Sequence, residues 1–138
     1  MIIKEPKWKS WVVETTTPLF TPEQCQKIID CGKSQPPQQA QVGMGKPGGG
    51  TDTDKRVTTI SWIPFYDMKP MYEDLNNFIQ RANENHFGFG DIQVTEQAQF
   101  TEYPEGGFYD WHMDCDVNME HEPPVRKISM TVLLNHES

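Results

Sequence analysis

The chain has 138 residues and a formal net charge of −8, from 20 acidic against 12 Lys and Arg residues. That length fits one domain with a sizeable core, and so negative a surface repels phosphate backbones, which excludes nucleic acid as a general partner. No apolar run approaches the roughly 20 residues of a membrane span, and the first residues carry no apolar signal core, so a soluble, cytoplasmic or otherwise intracellular protein without membrane contact is expected.

Lys4, Lys7 and Lys9 cluster near the start and read as a solvated tail. Residues 10–17 are β-branched and aromatic-rich and predict a first strand. Thr21, Pro22 and Gln24 then mark a helix start: an N-cap, a proline at the first helical position and the third-residue partner of a capping box. Phe20 and Cys25 suit a hydrophobic staple across that start. Cys25, Ile28 and Ile29 supply the buried stripe, and Gly32 is the expected stop. Cys25, Cys31 and Cys115 are odd in number and unpatterned, which argues against a disulfide framework.

Residues 34–54 hold Pro36-Pro37 and Gly48-Gly49-Gly50 with almost nothing apolar, and predict a long loop, either a functional lid or an inert insertion. Residues 56–63 alternate and predict a strand that Pro64 ends. From 69 to 86 the apolar positions Met71, Leu75, Phe78, Ile79 and Ala82 follow helical spacing, with His86 as a C-terminal cap. Residues 92–103 alternate again. One row holds Ile92, Val94, Glu96, Ala98, Phe100 and Glu102; the other holds Gln93, Thr95, Gln97, Gln99, Thr101 and Tyr103. Periodicity alone places the apolar row in the core and the polar row in water. Residues 116–125 form a polar loop, in which His121 lies between two glutamates and reads as exposed. Residues 126–135 predict a last strand, with Ile128, Met130, Val132 and Leu134 on one face and Ser129, Thr131 and Leu133 on the other.

The stretch between these last two strands carries the chemistry. Tyr103 leads into Pro104-Glu105-Gly106-Gly107, then Phe108-Tyr109-Asp110-Trp111-His112-Met113-Asp114. Residues two apart on an extended chain point the same way, so His112 and Asp114 can offer an imidazole and a carboxylate to one metal ion. One carboxylate with imidazoles suits non-haem Fe(II), leaving positions open for O2 and a co-substrate. The tripeptide alone reads more readily as a surface His and Asp near a turn. Cys115 as a ligand would favour zinc, but on an extended chain it points away from both.

The whole phrase resembles the Fe(II)- and 2-oxoglutarate-dependent dioxygenases of the prolyl 4-hydroxylase type. Tyr103, the Gly-containing turn, Tyr109, His112 and Asp114 carry the likeness, followed after a loop by Arg126 and the apolar run to Asn135. The resemblance implies an α+β chain whose residues 1–138 form one dioxygenase domain. Its core would be a double-stranded β-helix, jelly-roll or cupin-like, with supporting N-terminal helices. It implies Fe(II), 2-oxoglutarate and O2, with ascorbate as accessory reductant, and His112 and Asp114 as metal ligands. The polar row would turn inward, so that Gln99, Thr101, Tyr103 and Thr131 line the co-substrate pocket. Tyr109 and Trp111 would stand near the mouth and contact substrate. The implied reaction hydroxylates an unactivated C–H bond, a peptidyl proline above all. A peptide or protein substrate is favoured over a small molecule, with the loop at 34–54 folding over it.

The family also supplies a second His from a later strand and a Lys or Arg beyond it. The sequence stops at Ser138, and His136 follows the 126–135 strand too closely to be that ligand. The expectation is therefore a barrel lacking its last strands, a fragment of an active enzyme. The competing expectation is a non-catalytic or truncated β-helix binding module that keeps part of the metal site. A zinc or other cupin-like metal protein ranks third.

Overall fold

The first helix forms where its capping signals stand. In the computed structural model, which describes residues 10–39, 58–109 and 126–135, α1 spans Pro22–Ser34. The Thr21 hydroxyl accepts from the Gln24 backbone N–H at 3.3 Å, and the Gln24 side-chain oxygen accepts from the Thr21 N–H at 2.8 Å. Both arms of the capping box are thus made, satisfying donors that a helix start leaves orphaned. Hydrogen bonding to the backbone and to Thr21 holds the Glu23 carboxyl below its usual range. Gly32 is not the stop: the helix runs on to Ser34 and is capped at Gln35. Gly32 serves a close approach instead, because a Cβ built there would fall 2.3 Å from Phe100 Cγ.

The described strands form one antiparallel sheet in the order β1-β2-β3, with β1 at Gln38–Gln39, β2 at Thr59–Ile63 and β3 at Ala98–Glu102. Ile60 pairs Thr101, Ser61 pairs Phe100, Trp62 pairs Gln99 and Ile63 pairs Ala98; on β1, Gln38 pairs Ile60. Pro64 follows β2 directly, and without an N–H it cannot extend the ladder. The second helix, α2, spans Lys69–Ala82 and passes into a π turn at Asn83–Phe87. Gly88 closes that turn at φ +69°, donating to the Asn83 carbonyl at 2.6 Å. Such a left-handed cap costs glycine least.

Both helices contribute to a core on one face of the sheet. Phe20, Ile28, Ile63, Met71, Tyr72 and Leu75 form its buried centre, and Val94, Ala98, Phe100, Met130, Val132 and Leu134 pack against it. Burying each large aliphatic side chain is worth about 1.5–3 kcal/mol, which is what docks marginal 13- and 14-residue helices on the sheet. Three hydrogen bonds fix the distances. Ser61, buried on β2, donates its hydroxyl to the Gly32 carbonyl at 2.7 Å. The Tyr72 hydroxyl donates to the Ile63 carbonyl at 2.6 Å and accepts from the Ala98 N–H at 2.7 Å, joining α2 to the ends of β2 and β3. Burial pushes the Tyr72 phenol above its usual range, outweighing the opposing hydrogen bond from Ala98.

Several expected elements differ. Residues 10–17 are not a strand: Trp11 and Val12 are largely exposed, and the Ser10 N–H donates to the His86 carbonyl rather than to a ladder. The expected strand at 56–63 begins at Thr59, Thr58 lying just outside it; residues 56 and 57 lie outside the described residues. The expected strand at 92–103 is confined to Ala98–Glu102. Upstream, the Ile92 carbonyl is taken by the Gln80 side chain at 2.9 Å, which ties that backbone to α2. Residues 126–135 keep the alternation but form no ladder with a described strand. The loop expected at 34–54 contains β1, and its residues 40–54 lie outside the described residues. The architecture is α+β; three short strands do not define a double-stranded β-helix.

Candidate functional site

Directly opposed residues on a ladder point to the same side of the sheet, and successive ones to opposite sides. Ala98 and Phe100 pack on the helical core, so Gln99 and Thr101 point away from it, beside Trp62 and Ile60 of β2 and Gln38 of β1. The outer face of the sheet thus carries the polar row predicted from the alternation. It is not wholly open to water. Ile60 is 6% exposed although it points away from the helices, whereas Gln99 is exposed and Thr101 half-buried.

Tyr103 lies one residue beyond β3 and is 52% exposed. The turn that follows closes through the Gly107 N–H, which donates to the Pro104 carbonyl at 2.7 Å, and Gly106 takes φ +76° within it. Tyr109, after the turn, is half-buried. Thr131 is exposed, lying between Met130 and Val132, which pack on the same core cluster as Ala98 and Phe100. One apolar cluster therefore orients both polar rows, Gln99–Thr101 and Ser129–Thr131, away from itself.

The residues expected to hold metal, His112 and Asp114, lie outside the described residues, as do Trp111, Cys115, His121 and His136. Among the described residues, no group of three or more His, Cys, Asp and Glu side chains is gathered to hold a metal ion. By donor type, the imidazole of His112 and the carboxylate of Asp114 suit a divalent ion. The amides and hydroxyls of Gln99, Thr101 and Tyr103 suit a carboxylate ligand as hydrogen-bond donors. Cys25 and Cys31 are free thiols, both half-buried.

Trp62 is the outer-face residue that site reasoning from sequence left out. It stands across the ladder from Gln99 and is 37% exposed. Its place on the row with Ile60 was visible in the alternation of residues 56–63, but the pairing with Gln99 depends on a register that no local signal prints. No helix among the described residues is long and apolar enough to cross a membrane.

No protein-family model, curated protein or solved structure matches this chain.

Proposed function

We propose that this chain belongs to an Fe(II)- and 2-oxoglutarate-dependent dioxygenase that hydroxylates an unactivated C–H bond, with a peptidyl proline as the foremost target. One observation carries the reading. The strand entering the His112-x-Asp114 phrase presents Gln99 and Thr101 on the face turned away from its helical core. The polar row of a strand that merely closed a core would meet only water, whereas this one runs on in sequence to His112 and Asp114, the two residues proposed to hold the metal.

In this reading His112 and Asp114 would hold the iron, which when bound supplies the activation of O2 that no side chain can provide. The chain's own residues do the rest. Gln99 and Thr101 donate hydrogen bonds to the co-substrate from a fixed strand, so little ordering is required when it binds. The Tyr103 hydroxyl donates at the strand's end. In this reading Tyr109 and Trp111 would offer aromatic surface to a substrate ring. Ile60 and Trp62 place apolar surface beside the polar row.

The test is succinate release from 2-oxoglutarate by the full-length gene product, supplied with Fe(II) and proline-containing peptides. Turnover that needs Fe(II) and falls to background in Asp114→Ala, with the fold intact by circular dichroism, supports the reading. Undiminished turnover in Asp114→Ala removes the metal assignment. A folded protein with no 2-oxoglutarate turnover favours the non-catalytic binding module.

A further inference from the structure

No further inference is drawn: the strongest candidate, the aromatic-bearing outer face of the sheet around Trp62, Gln99 and Thr101, belongs to the site already described, and nothing in the structure shows what covers it.

Discussion

Replacing Gly32 by alanine sets two physical effects of opposite sign against each other. Alanine is the better helix former, by up to about 1 kcal/mol in a helix interior. Against this, the new methyl carbon would stand 2.3, 2.6 and 2.7 Å from three ring atoms of Phe100, well inside van der Waals contact. The ring is half-buried on β3, and α1 cannot retreat freely, since the Gly32 carbonyl accepts the buried Ser61 hydroxyl at 2.7 Å. Overpacking of this kind costs about 1–3 kcal/mol, and the close approach to three atoms argues for the upper part of that range. The net expectation is destabilisation by about 1–2 kcal/mol, or a melting point lowered by roughly 3–8 °C at this chain length. Urea unfolding followed by circular dichroism gives the number. A double-mutant cycle with Phe100→Ala isolates the contact: once the ring is gone, Gly32→Ala should become neutral or stabilising. If Gly32→Ala alone raises stability, the close packing of α1 on β3 is wrong.

Three further outcomes follow from the same contacts. Tyr72→Phe removes the hydroxyl shared by the Ile63 carbonyl and the Ala98 N–H, and should cost about 1–3 kcal/mol in equilibrium unfolding. The pH dependence of that loss has a defined sign. The folded-state phenol titrates above its ordinary value of 10.0, so its contribution is present below that pH and is lost as pH rises toward the folded value. Wild-type stability should therefore fall above pH 10.0 more steeply than that of Tyr72→Phe, and parallel alkaline curves would contradict the buried hydroxyl. Thr21→Ala removes the side-chain acceptor of the capping box and should cost about 1 kcal/mol, with Thr21→Ser restoring most of it; equal stability of all three would mean that α1 does not depend on its cap.

The parts of the fold legible in sequence are those decided locally. The start of α1 is written in Thr21, Pro22 and Gln24, and the apolar spacing from Met71 to Ala82 marks α2 as a helix packed on the sheet. What was misread depends on distant partners. Gly32 reads as a helix stop because glycine commonly ends helices, but its reason is the ring of Phe100, which no window around residue 32 contains. Residues 10–17 have strand composition, yet β-propensity measures fit to a pleated, half-buried surface and supplies no neighbour to pair with. Tyr72 was not on the expected stripe of α2. Its burial follows from the two backbone groups that its hydroxyl joins, and these belong to β2 and β3. In the candidate site, the alternation of residues 98–103 correctly separated the two rows. Which row the helices cover was settled by Phe100 and Ala98 packing on the core. The chemistry itself was read from residue types at His112 and Asp114, outside the described residues.

Anaerobic binding of Fe(II) and 2-oxoglutarate tests the central claim most directly, because it reads the metal site without requiring the substrate. Chelation of Fe(II) by 2-oxoglutarate in the proposed site should give the full-length gene product a visible charge-transfer absorption band. His112→Ala and Asp114→Ala should each lose the band while keeping the wild-type far-ultraviolet spectrum. A band of undiminished intensity in both variants, or none in the folded wild-type protein, would contradict the assignment of His112 and Asp114 to iron.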